Sequence, residues 1–224
     1  MGTRHLTVVV KNNKIVLSQY GQWDGYFIGA GLEFLEFCKK LQNKDEEYTN
    51  YNIKKFAEKF IYVKEANKEI LNRIDEVASM FSRDTSKNTT NYAIPFTNLF
   101  PSLSRDTGVD ILNIINNLDT NSMTTWKKID ESKGNTDDNY KEVKMKYPII
   151  IDLDKEGYCE YANVINLDTK EIYMLTIHDF NSESLDTCKL IENTYNGMAC
   201  YYKSKIQNLP SLYEIKEKVK EIGL

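Results

Sequence analysis

Apolar and polar positions change period twice along this 224-residue chain, and those changes divide it into elements. At the N-terminal end, Leu6 to Val10 and Ile15 to Tyr20 are β-branched or aromatic runs on either side of Lys11-Asn12-Asn13-Lys14. Asparagines accept the dihedrals of a tight turn, so residues 3–20 predict a hairpin. Beyond Gly31 the period lengthens. Phe34, Phe37, Cys38 and Leu41, with Leu32 and Leu35 widening the stripe, predict a buried first helix. Ile53, Phe56, Ala57, Phe60 and Ile61 predict a second helix capped by Thr49 or Asn50, and Ala66, Ile70, Ile74, Val77 and Phe81 a third. Residues 82–91 read as a polar loop, and Pro95 and Pro101 punctuate an apolar segment. A further helix carries Ile111, Ile114, Ile115 and Leu118.

The period then shortens again. After a polar excursion over about 119–146, strands are expected at Ile149 to Leu153, Tyr158 to Leu167 and Glu171 to Ile177, the last two joined at Asn166 to Lys170. Met198 to Tyr202 adds an edge strand. Ser211 with Glu214 is a capping box that opens a last helix with Leu212, Ile215, Val219 and Ile222 inward. Strand patterns at both ends and helix patterns between them predict one α+β domain over 1–224. Its antiparallel β-sheet, from the N-terminal hairpin and the strands after 147, packs against a helical block at about 32–118.

Composition narrows the function classes. A hydrophobic fraction of 41% with 28% charged residues describes a folded chain and excludes disorder. A net charge of -4 argues against a partner that is held by neutralising phosphates, such as nucleic acid. Cys38, Cys159, Cys188 and Cys200 show no metal spacing, and only His5 and His178 are available to complete a site, so no metal is expected. No apolar run approaches ~20 residues, which argues against a membrane span and places free thiols in a reducing cytoplasm. Met1-Gly2 opens like a myristoylation signal, but Leu6 stands where that signal requires Ser or Thr.

Candidate chemistry concentrates in Ser18 to Gly31. Four of the ten glycines lie there beside Gln19, Tyr20, Gln22, Trp23, Asp24 and Tyr26. Glycines admit close backbone approach while large hydrogen-bonding side chains converge, which suits the floor of a polar site. The hairpin returns this stretch to the end of the first strand, so Arg4 and Asp24 are expected to be neighbours. A second motif, Ser104 to Asp110, leads into a helix. There Thr107 with Asp110 reads as a capping box and Asp106 complements the helix terminus, whereas Arg105 stands where the helix dipole disfavours a cation.

Dinucleotide, phosphate-loop and nucleophile-elbow fingerprints are missing. Gly29-Ala30-Gly31 lacks a third glycine, and neither histidine has a serine partner in evidence, so no cofactor is implied. The residues fit a pocket in which Arg4, Gln19, Gln22, Asp24, Arg105 and Asp106 grip a small anionic or nucleotide-like ligand, with Tyr20, Trp23 and Tyr26 beside it. The alternative is a Tyr- and Trp-bearing surface that binds a host protein, but the motifs mix Gly, Arg and Asp in place of exposed apolar anchors, which favours the pocket. A bland reading is that the motifs lock the fold together.

Met1 to Arg4, Gln19 to Tyr26, Gly29 to Gly31, Ser104 to Leu112, Cys159 to Asp168 and, more weakly, Leu209 to Ser211 together resemble a family of bacteriophage and prophage proteins. That family opens Met-Gly-Thr-Arg and carries Gln-Tyr-Gly-Gln-Trp-Asp-Gly-Tyr-Pro, Ser-Arg-Asp-x-Gly and Cys-Glu-Tyr-Ala. Phe27 stands at the usual proline position. The resemblance implies a phage or prophage origin, a place in the host cytoplasm and no particular chemistry. For the host-protein-binding alternative, an inhibitor of a host antiviral defence system, such as an anti-CRISPR protein, is one example. The early strand returning through a hairpin to an Asp also looks like the layout of N-terminal-nucleophile amidohydrolases. Gly2 cannot be such a nucleophile, and Thr3 would need further trimming.

Overall fold

A computed structural model describes residues 2–65, 102, 106–119, 124–129, 140–145, 149–151 and 159–224. The third helix expected at Ala66 to Phe81, the loop and proline-marked segment that follow it, and Arg105 lie outside the described residues. The N-terminal hairpin forms as its pattern requires, with β1 at His5–Lys11 and β2 at Lys14–Gly21. Asn12 and Asn13 both take the left-handed conformation, φ 53° at each, which a two-residue hairpin turn needs. Their two amides donate to the carboxylate oxygens of Asp168, each at 2.8 Å, so a second turn caps the first.

Asp168 belongs to the turn between β7 (Tyr161–Asn166) and β8 (Glu171–Thr176), and β9 (Ala199–Lys205) completes a five-stranded sheet in the order β2-β1-β7-β8-β9. Three of the four pairings are antiparallel. The α+β fold with a mainly antiparallel sheet is as expected, and the sheet is mixed at one seam, where β1 runs parallel to β7. A parallel pair cannot be closed by a tight turn, and here the chain between β1 and β7 supplies the crossover. Because β1 lies inside the sheet, its run His5 to Val10 is buried without alternation.

Helices α1 (Leu32–Leu41), α2 (Glu46–Glu58) and α3 (Asp110–Asn116) come from the central block, and α5 (Leu212–Glu221) closes the chain. Phe34, Phe37, Phe56, Ile111, Ile115 and Val219 join Val9, Leu17, Ile165 and Ile172 in one core on the first face of the sheet. The opposite face, with Leu6, Val8, Val164 and Tyr173, packs against Ile191 of α4 (Lys189–Thr194).

Four local expectations change. Asp45, not Thr49 or Asn50, caps α2 by accepting the Glu47 amide, and Thr49 is buried one turn inside. Ile61 is exposed, in a short helical turn that follows α2. Thr107 and Asp110 form no capping box, because α3 begins at Asp110 after Val109 with no side-chain cap. The polar excursion holds an antiparallel pair, β4 (Thr124–Ile129) with β5 (Tyr140–Met145), whose alternation is masked by the polar segment between. β3 (Val63–Glu65) pairs in parallel with β6 (Ile149–Ile151) outside the main sheet. The Ser211–Glu214 capping box forms as expected.

Candidate functional site

β2 ends at Gly21, and the chain turns back over the start of β1. The Gly25 amide donates to the Thr3 carbonyl at 3.1 Å, so the loop does return to the first strand. Asp24 takes the left-handed conformation at φ 52°, which Asp tolerates better than most residues, and its carbonyl accepts the Ala30 amide at 2.8 Å. That bond folds the loop onto a wide helical turn at Phe27–Gly31. Phe27 is 97% buried and anchors the turn by packing.

The two motifs meet here. Trp23 donates its indole Nε1–H to Asp106 Oδ1 at 2.9 Å. The ring lies over Gly2, where a Cβ would stand 2.3 Å from an indole carbon. A second junction is formed by His5, whose imidazole is clasped between Gly21 and Gly108. A Cβ on Gly21 would come within 2.2 Å of His5 Cε1, and one on Gly108 within 2.7 Å of Nε2. Gly108 also has φ +45°, so it is required twice over. These glycines are used for close internal approach and not for approach to a ligand.

The expected site residues therefore separate. Trp23 is 54% exposed and Tyr26 47%, with Ile28 at 68% just beyond them. Tyr26 stands edge-on to Tyr161 at 6.4 Å, and Tyr161 in turn meets the ring of His178 at 5.4 Å. Gln22 is half-buried, while Asp24 and Asp106 are exposed. Gln19 is buried on the helix-covered face, its amide donating to the Tyr20 carbonyl at 2.9 Å. Tyr20 packs on the other face with Val8 and Val10, so it does not share a site with Gln19. Arg4 and His5 alternate in the same way. The guanidinium acts on Cys159, a thiol that burial pushes up to about 11 while Arg4 opposes the shift. Asp24 acts on His5, whose pKa burial pulls down to about 4 against weaker raising contributions from the Trp23 backbone and Asp24.

The surface around Trp23 is acidic. Glu33 is raised above its ordinary value first by partial burial and then by Asp110, Glu36 and Asp24, which locates four carboxylates close to one another beside the loop. Among the described residues, no set of three His, Cys, Asp or Glu side chains is disposed to hold a metal. No helix among them is long and apolar enough to cross a membrane. A shallow groove of about 350 Å³ lies at the opposite end of the hairpin, between Lys11, Lys14, Phe60 and Glu65, away from both motifs.

Sequence reasoning missed the interior beneath the loop. Strand register sets Gln19, Thr7 and Asn163 side by side across β2, β1 and β7, with Gly21, His5 and Tyr161 in the adjacent row. Thr7 Oγ1 and Asn163 Nδ2 are buried with no hydrogen-bond partner among the described residues, and the buried ring nitrogens of His5 meet only the Trp23 backbone, outside good hydrogen-bond geometry. A buried polar group in that condition costs ~1–3 kcal/mol. The available signal was polar Thr7 and Gln19 at the inward positions of otherwise apolar strands. Neither a protein family, a curated protein nor a solved structure matches the chain.

Proposed function

We propose that the protein is a binding factor of phage or prophage type that engages a host protein through the loop at residues 22–28. The observation that carries this reading is the state of Trp23: more than half exposed, yet held by Asp106 and supported by Gly2. An exposed indole that is already immobilised loses little side-chain entropy on contact, which is the property of an interface anchor. Tyr26 and Ile28 extend the apolar area, and Asp24, Asp106 and the carboxylates near Glu33 favour a basic partner face.

The same carboxylates oppose a small anion at this surface, and Arg105, the cation on which that reading leaned, lies outside the described residues. An N-terminal nucleophile is no better supported. Thr3 is 94% buried with its carbonyl taken by Gly25, and Gly2 lies under the Trp23 ring. Inhibition of a host defence complex is the role that best suits a preformed aromatic contact on a phage-type protein.

The test is a titration of the full chain against candidate host complexes by calorimetry, with Trp23→Ala alongside. Loss of a central anchor worth ~2 kcal/mol or more weakens binding by about 30-fold, while loss of the Asp106 bond lowers the melting temperature by only a few degrees and leaves the chain folded. Unaltered affinity on Trp23→Ala overturns the reading.

A further inference from the structure

The loop covers a second feature that surface binding does not use. His5 and Thr7 on β1 and Asn163 on the neighbouring β7 stand on the helix-facing side of the sheet, 4%, 0% and 1% exposed and in two successive rows, where the next row, Leu17, Val9 and Ile165, is wholly apolar. Thr7 and Asn163 are directly paired, which holds their Cβ atoms about 5 Å apart, and His5 lies two residues along the same face of β1, so one small molecule can span neighbouring members of the group. Tyr161 and Thr176 continue the polar row at one side, and they are satisfied: Thr176 Oγ1 donates to the Glu160 carbonyl at 3.2 Å and accepts the His178 amide at 3.1 Å. Among the described residues, Thr7 Oγ1 and Asn163 Nδ2 find no such partners, and the His5 ring meets only the Trp23 backbone.

We propose that this row is a built internal site for a small uncharged guest that carries both hydrogen-bond donors and acceptors. Unpaired groups are tolerated in a folded interior only when water or a ligand completes them. The chemistry of the guest follows from the side chains. A neutral imidazole offers one donor and one acceptor, a threonine hydroxyl offers both, and the Asn163 amide nitrogen requires an acceptor. Burial keeps His5 neutral, and the row contains no ionised side chain to compensate a charged guest. Ordered water and an uncharged amide- or hydroxyl-bearing solute share this chemistry. Because His5 is clasped by Gly21 and Gly108, a guest on its ring also stiffens the junction that positions the Trp23 loop.

Native mass spectrometry of the purified full chain and water-to-amide cross-relaxation by NMR separate the two sources. An organic guest adds a discrete mass to the wild-type protein that denaturation releases; bound water gives long-lived cross-peaks at residues 5, 7 and 163. Thr7→Val then supplies the energetic arm, since it keeps the shape and removes the hydroxyl. With a guest in place it removes the added mass or the cross-peaks and lowers the melting temperature by about 2–4 °C or more. If Thr7→Val does not fold, Thr7→Ser, which retains the hydroxyl, keeps the guest signal. Absence of both signals from the wild-type chain, or a higher melting temperature for Thr7→Val, overturns the proposal and marks the row as a dry polar defect.

Discussion

The two ends of the sheet's helix-covered face are built from the same strands and follow opposite chemistry. Near the hairpin turn, Val9, Leu17, Ile165 and Ile172 form a continuous apolar layer beneath the helices. Towards the Trp23 loop the same strands present Gln19, Thr7, Asn163, Gly21 and His5. The first end stabilises the fold through burial. The second carries unpartnered polar groups and the junction of the two sequence motifs, so selection for stability alone does not account for it.

Four substitutions or conditions break or sharpen this contrast. At the apolar end, Leu17→Ala is expected to cost ~2–5 kcal/mol by leaving a cavity in a fully buried layer, read from urea denaturation. If it costs less than the polar-end changes below, the division of labour is wrong.

Acid should act at the polar end. The His5 pKa is lowered from 6.5 to about 4, so between those values the unfolded chain binds a proton that the folded chain refuses. Stability is complete above the unfolded value and falls as pH drops through this window, by on the order of 3 kcal/mol. His5→Gln should remove that component of the pH dependence; a profile identical to wild type would mean that His5 titrates normally.

Gly21→Ala inserts a methyl against His5 and is expected to cost ~1–3 kcal/mol, most of it recovered when His5→Ala is added. Additivity of the two changes would show that the clasp is not a contact that matters. The smallest effect belongs to Asp106→Ala, which removes the acceptor of the Trp23 indole at a cost of ~0.5–1.5 kcal/mol. Its readout is lower fluorescence anisotropy of Trp23, measured with Trp126→Phe so that one indole remains.

Much of the architecture was legible from local pattern. The hairpin, the buried stripe of α1, the β7–β8 turn and the Ser211 cap all follow from interactions within a few residues. What escaped prediction was non-local. Nothing in Leu6 to Val10 says that its second neighbour is Tyr161 to Asn166, or that the pairing is parallel. The Asp45 cap was missed because Thr49 offers the same chemistry four residues later, and only tertiary burial of Thr49 decides between them. At the site, the convergence of the two motifs was expected from Arg105, whereas the contacts described run through Asp106 and Gly108. His5 enters the sequence reading only as a metal ligand or a serine's partner, because its neighbours Thr7 and Asn163 meet it only through strand register.

The parallel seam has a consequence for synthesis. β1 leaves the ribosome well before its partner β7, which follows roughly 150 residues later. At ~5–20 residues per second the hairpin waits about 8–30 s with the inner edge of β1 unpaired. That edge is an apolar strand with free backbone groups, the kind that pairs with a neighbouring nascent chain. Yield of folded protein should therefore depend on the rate of translation over the intervening segment and on chaperones that shield a waiting strand.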